Sequence, residues 1–182
     1  MRIPATAALA SHDTPLGPLT LAATDDALVL CAFDDRERAE ARIARAGLTA
    51  VDAVDAATSA QLRILQETRR ELDAYLGGRS RAFTVRMDLR LATPFSRTTM
   101  ERLDGILPYG ETSTYAELAA ALGRPRAARA VGTALGANPL CVVLPCHRVV
   151  GSGGRLTGYA GGVEAKRFLL DLESGRTPSP SL

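Results

Sequence analysis

The residues Leu144-Pro145-Cys146-His147-Arg148-Val149-Val150 set a cysteine beside a histidine at the end of an apolar run. A thiol attacks carbon as the thiolate, so a neighbouring base or cation raises its reactive fraction. Here an imidazole and a guanidinium follow at once, and Pro145 stiffens the approach. The pattern fits nucleophilic chemistry at Cys146. It fits a buried structural cysteine as well, because Cys141-Val142-Val143-Leu144 reads as core and cysteine packs as a small hydrophobe.

The elements that must position this segment are partly explicit. Thr114-Tyr115-Ala116-Glu117 is a capping box opening a short helix that Gly123 ends. Pro125 suits the first turn of a second helix, over Arg126 to Gly136, and the pair suggests a helix-turn-helix. On that second helix Ala128, Val131 and Leu135 face inward, while Arg126, Arg129 and Thr133 line the other side. Its remaining residues (Ala127, Ala130, Gly132, Ala134, Gly136) are small, which suits close approach to a nucleic-acid backbone or tight packing on another helix. Gly158-Tyr159-Ala160-Gly161-Gly162 is a loop able to bring backbone near a ligand. A last helix, Val163 to Glu173, buries Ala165, Leu169 and Leu172, and puts Glu173 on the same face. A carboxylate there is disfavoured by burial and by the negative helix end. It needs a partner such as an imidazole, unless the helix frays and water serves.

The amino-terminal half reads as scaffold. Its first ~35 residues read as β, with Leu19-Thr20-Leu21 and Leu28-Val29-Leu30 flanking the turn at Thr24-Asp25-Asp26. Asp34 to Ala46 is helical, and a firmer helix spans Thr58 to Leu76 with Leu62, Leu65, Leu72 and Leu76 on one stripe, ended by Gly77-Gly78. Cys31 reads as core. Leu91-Ala92-Thr93-Pro94 is a linker, followed by a helix from Phe95 to Leu107. The expected organisation is a scaffold domain over 1–90, a second domain over 91–174, and a disordered tail over 175–182.

Composition narrows the function classes. The chain has 182 residues, 46% hydrophobic and 23% charged, as an ordinary globular protein does. No apolar run reaches the ~18 residues that span a membrane, and the amino terminus lacks a signal-peptide pattern. A cytoplasmic location is expected. Three cysteines without a CxxC pair, and two histidines, argue against disulfides and a zinc site. Between Ser113 and Val163 the bases are Arg124, Arg126, Arg129, Arg148 and Arg155, against Glu117 as the one acid. That balance suits a polyanion, although a bias toward arginine would also produce it, since Lys166 is the one lysine.

Taken together these motifs resemble the O6-alkylguanine-DNA alkyltransferases, also called methylated-DNA–protein-cysteine methyltransferases. The likeness rests on Pro145-Cys146-His147-Arg148-Val149-Val150, Tyr109-Gly110-Glu111 with Thr114-Tyr115, and Ala127-Ala128-Arg129-Ala130-Val131-Gly132. Asn138-Pro139, Gly158-Tyr159, Gly161-Gly162 and Leu169-Leu170 with Glu173 complete it, over roughly 80 residues. The amino-terminal half agrees more loosely, chiefly at Pro15-Leu16-Gly17-Pro18-Leu19. The resemblance implies an α/β amino-terminal domain, a ribonuclease-H-like sheet with helices, and a mostly α carboxy-terminal domain with the helix-turn-helix.

It also implies a chemistry. Cys146 would take the alkyl group irreversibly from O6-alkylguanine, with O4-alkylthymine open as a second substrate. His147 would act as base through a bridging water, and Glu173 would orient the imidazole. Asn138 would brace the segment, and Tyr115 would protonate guanine as it leaves. The backbone of Val149 and the Tyr159 loop, with Ala160 and Gly161, would form the guanine pocket. Arg129 would fill the stack left by a flipped nucleotide, with Arg126, Ala128, Thr133 and Arg148 also on the DNA. The partner implied is double-stranded DNA, bound through the minor groove by a monomer without cofactor, metal or membrane.

Four residues depart from the family pattern. Ala160 stands where some members have serine, Thr99 and Glu101 where members usually have valine and tryptophan, and Cys141 is unusual and reads as a buried bystander. No tetracysteine phosphotriester-repair domain precedes the unit, which argues against a combined sensor–regulator. Two other readings stay in play. A non-catalytic lesion binder would signal to other repair pathways, but relatives of that kind lack the cysteine. A helix-turn-helix regulator with a redox-sensitive cysteine would need side chains that reach base edges, and the small-residue helix offers few.

Overall fold

The structure is a computed structural model that describes residues 5–178. The chain divides into two compact units, Met1–Leu91 and Ala92–Leu182. Among the described residues no helix is long and apolar enough to cross a membrane.

The first unit is built on strands β1 (Thr6–His12), β2 (Leu19–Ala23), β3 (Leu28–Ala32) and β4 (Thr49–Asp52), in the order β3-β2-β1-β4. β2 is antiparallel to β1 and β3, whereas β4 runs parallel to β1. Every residue of β3 is buried, because the sheet is covered on both faces and such strands read as unbroken apolar runs. Helix α1 (Arg36–Arg45), capped by the Asp35 carboxylate on Arg38 N, packs Ala39 and Ile43 onto Ala7, Leu9, Ala22 and Val29. Side chains alternate across a strand, so Leu21 faces away from that cluster. Helix α2 (Ser59–Leu76) packs against β1 and β2 and buries Leu65, Leu72 and Leu76.

Two details differ from expectation. Leu62 is exposed, and the inward positions of α2 are Gln61, Leu65, Thr68, Leu72, Tyr75 and Leu76. The polar Gln61 is buried at no loss, since its amide donates to Thr6 O (3.2 Å) and Thr6 Oγ1 (3.0 Å). Strand β4 carried no recognisable signal, being four residues long and only partly buried.

The second unit begins at Ala92. The helix read over Phe95 to Leu107 is two pieces, α3 (Pro94–Met100), capped by Thr93, and α4 (Leu103–Ile106). Thr98 and Thr99 return their hydroxyls to Pro94 O (3.1 Å) and Phe95 O (3.0 Å), a back-bonding that weakens a helix at that point. Helix α5 (Tyr115–Ala121) has its full capping box between Thr114 and Glu117. Gly123, at φ 72°, ends it. Helix α6 (Ala128–Gly136) begins later than expected. Pro125 and Arg126 belong to the preceding turn, closed by Ala127 N on Arg124 O (2.8 Å), because no side chain caps an earlier start. The inward residues of α6 are Val131, Ala134 and Leu135, and Ala128 is half-buried.

A short parallel pair then ties the chemistry together. β5 (Ser113–Thr114) pairs with β6 (Val149–Val150), placing the start of α5 beside the segment that carries Cys146. Helix α7 (Gly162–Glu173) closes the unit, with Leu172 half-buried beside buried Ala165, Lys166, Phe168 and Leu169. Of the tail expected to be disordered from residue 175, residues 179–182 lie outside the described residues. Gly175 and Arg176 finish the helix, with Arg176 N on Asp171 O (2.9 Å).

Candidate active site

Cys146 opens a single 3-10 turn, Cys146–Arg148, directly after Pro145. It is 6% exposed and borders a narrow cleft of about 20 Å³. Tyr115, Cys141, Gly158, Tyr159 and Ala160 share the wall, and α6 contributes Gly132, Leu135 and Gly136. Asn138 fixes the sulfur. Its Nδ2 donates to Cys146 Sγ (3.1 Å) and to Leu144 O (3.5 Å), while Oδ1 accepts from Leu140 N (2.9 Å). One amide thus clamps both ends of the loop over 138–146.

The Cys146 thiol is held below its ordinary value, chiefly by a hydrogen bond from the Cys141 thiol. Burial opposes this, and the Asn138 amide and the charge of Lys166 assist. Cys31 is the contrast: burial alone pushes it up to about 12, leaving a thiol that does not ionise. Cys141 is buried as expected, and it lines the same cleft as Cys146.

Behind Cys146 lies a closed polar network. His147 Nε2 is 2.5 Å from Glu173 Oε1, so the carboxylate has the imidazole partner that its burial required. Gly110 N donates to Glu173 Oε2 (3.0 Å), and a side chain at Gly110, φ 82°, would press on Glu173 O. Burial lowers the pKa of His147, against the pull of Glu173, so the ring is neutral near pH 7. With Nε2–H assigned as donor to the carboxylate, Nδ1 is left as a lone-pair acceptor. That atom is buried and has no hydrogen-bond partner among the described residues.

Arg148 corrects the sequence reading. It was expected on DNA, yet it is 6% exposed and turned inward. Its Nε donates to Glu173 Oε2 (2.8 Å), its Nη1 to Leu107 O (2.6 Å), and its guanidinium stands 5.7 Å from the centre of the Tyr109 ring. A glutamate that must be buried recruits the nearest fixed cation, and the tight turn at 146–148 presents Arg148 to it. Val149 is fully buried, its carbonyl accepts from Lys166 Nζ (2.6 Å), and neither Val149 nor Gly161 lines the cleft.

Lys166 was missed. Its ammonium is held by Val149 O and Thr157 O (3.0 Å), and it acts on Cys146 as a nearby positive charge. Burial lowers its pKa, and the Cys146 charge opposes that. Two signals pointed to it: it is the one lysine in the chain, and it lies seven residues before Glu173 on the same helical face.

The outer residues fall into place around the cleft. Tyr115 OH accepts from Thr157 Oγ1 (3.3 Å), and the Tyr159 ring meets His147 edge-on at 6.4 Å. Arg126, Arg129 and Thr133 are exposed on or beside α6, and Arg124 stacks over Phe95. Arg129 sits one turn before Gly132, so an exposed cation adjoins the cleft. Of the departures, Thr99 is buried with its hydroxyl satisfied, while Glu101 and Ala160 are exposed. Among the described residues no cluster of three or more His, Cys, Asp or Glu could hold a metal.

Comparison with known proteins agrees along nearly the whole chain. Residues 8–89 match the family model of the 6-O-methylguanine DNA methyltransferase ribonuclease-like domain, and residues 94–175 that of the DNA binding domain. A methylated-DNA–protein-cysteine methyltransferase of Mycobacterium bovis is 50% identical over 109 residues. That stretch is 60% of this chain and 65% of the relative, just under two thirds of its length. One from Methanosarcina barkeri is 39% identical over 165 residues, 88% of this chain and 93% of its own. The crystal structure of Mycobacterium tuberculosis OGT in complex with DNA matches with a TM-score of 0.75 at 36% identity, over 95% of this chain and 96% of that one.

Proposed function

The chain belongs to the 6-O-methylguanine DNA methyltransferase family, and we propose that it repairs alkylated DNA by moving the alkyl group of O6-alkylguanine irreversibly onto Cys146. One observation carries this reading. The Cys146 sulfur borders a cleft, clamped by Asn138, with a neutral buried histidine next in sequence.

His147 Nδ1 takes the thiol proton, relayed by water, while Glu173 and Arg148 hold the ring still. The sulfur–carbon bond forms as the carbon–O6 bond breaks, and the electron pair leaves with guanine. A guanine anion leaves poorly, so Tyr115 supplies a proton to N3, and the proton taken from sulfur restores Tyr115. The product thioether has no leaving step, and each molecule reacts once. No cofactor takes part.

The target carbon lies inside the duplex, so the nucleotide must turn out of the stack at a cost of a few kcal/mol. Arg129 fills the gap from the minor groove, Arg126 and Thr133 meet phosphates, and the small residues of α6 permit the approach. A monomer in a reducing compartment such as the cytoplasm suits three free cysteines.

Titrating the protein against a duplex bearing O6-methylguanine tests this. Repair should stop at one lesion per active molecule. Repeated turnover contradicts the reading, as does tight lesion binding without repair, the behaviour of a non-catalytic lesion-binding protein.

A further inference from the structure

Cys141 is a chemically capable group at the cleft to which the mechanism assigns no part. It is buried, and it lines the same cleft as Cys146. The backbone puts it there deliberately. Leu144 N bonds to Leu140 O (2.8 Å), Cys141 bridges to Leu144, and Val142 between them takes φ 70°. A β-branched residue in that region is strained and persists only where its surroundings impose it. The turn folds position 141 back toward position 146. Asn138 then touches both sulfurs, donating to Cys146 Sγ at 3.1 Å and accepting at its backbone oxygen from Cys141 Sγ at 3.6 Å.

The Cys141 proton therefore has two acceptors. The Asn138 carbonyl is a neutral acceptor at 3.6 Å, whereas an ionised Cys146 sulfur is a charge-assisted acceptor and the stronger of the two. Resting on Cys146 as the nucleophile, we propose that Cys141 is a positioning residue whose S–H donates to the Cys146 thiolate and returns to the Asn138 carbonyl once that sulfur carries an alkyl group. The same contact is the largest influence holding the Cys146 thiol down. The other groups about the sulfur are Lys166, His147, Tyr115 and Tyr159, with Glu173 and Arg148 behind the imidazole. They are common to every variant below, so they shift no comparison among them. A stabilised thiolate is a somewhat weaker nucleophile, so the gain in rate falls short of the gain in thiolate population.

The test is the rate at which iodoacetamide alkylates Cys146 in the reduced full-length protein, followed by peptide mass from acid to alkaline pH. Cys141→Ala should raise the midpoint and cut reactivity on the acid side several-fold, while leaving the alkaline plateau unchanged or higher. Cys141→Ser, which keeps a donor, should bring the midpoint back toward wild type. If Cys141→Ala does not fold, Cys141→Val fills the site without a donor and takes its place. An unmoved midpoint in the donor-less variant overturns the proposal, as does a serine variant shifted equally far. Because iodoacetamide needs no DNA, the midpoints judge Cys141 even if no variant repairs a lesion. Repair with coincident midpoints would sink this inference alone.

Discussion

Nε2 of His147 lies 2.5 Å from Oε1 of Glu173, with the two side chains 0% and 1% exposed. The carboxylate also takes donors from Arg148 and Gly110, so its charge is balanced before the histidine is counted. Burial and the adjacent Arg148 then disfavour an imidazolium. A closed ion pair thus backs a neutral base, and that base keeps its Nδ1 lone pair for the nucleophile.

Glu173→Gln preserves shape and removes the charge, leaving Arg148 buried without its anion. Breaking a buried pair in this way costs about 3–5 kcal/mol. Urea unfolding should show a loss of that order, and adding Arg148→Met should recover part of it. Equal and additive losses would mean that the two residues do not act as a pair.

Histidine 147 should make stability pH-dependent. Its folded value lies below its unfolded one, so the unfolded chain binds more protons between them and stability rises with pH across that window. The contribution is complete above about pH 6.5 and is lost as pH falls below it. Unfolding midpoints at roughly pH 7.5 and pH 5 should differ more for wild type than for His147→Gln. Parallel changes would remove the neutral imidazole from the account.

Arg126 and Arg129 should separate affinity from extrusion. Arg126→Ala should weaken binding similarly for all duplex sequences and reduce the salt slope by about one. Arg129→Ala should slow repair of a duplex lesion by roughly tenfold or more, ~1.4 kcal/mol, yet spare the reaction with free O6-alkylguanine base. If the free base is affected equally, Arg129 acts on the cleft and not on the stack.

Thr114→Ala removes half of the capping box on α5 and should cost about 1 kcal/mol of stability. Tyr115 is the first residue of that helix, so the rate should fall further than stability alone explains. A rate unchanged in the folded variant would place Tyr115 outside the reaction.

Local signals were legible in the sequence. The Thr114–Glu117 box and the start of α2 at Thr58 follow from short-range rules, and the cost of one buried charge left Glu173 with two outcomes, an imidazole partner or a frayed end in water. What escaped was set by tertiary burial. Arg148 and Arg129 are the same residue type, and only the fold turns one inward and leaves the other exposed. Lys166 and Leu62 invert the usual preference of their types because Val149 O claims the ammonium while Gln61 claims the inner face. Cys141 read as an isolated buried residue because the left-handed turn at Val142, in the segment that brings it to the same cleft as Cys146, is invisible in sequence.

The most direct test weighs the protein after incubation with a duplex carrying O6-methylguanine, then maps the peptides. We predict one added methyl, on the peptide containing Cys146, and none in Cys146→Ser. A methyl on Cys141 or Cys31, or DNA restored to guanine with the protein mass unchanged, would contradict the account.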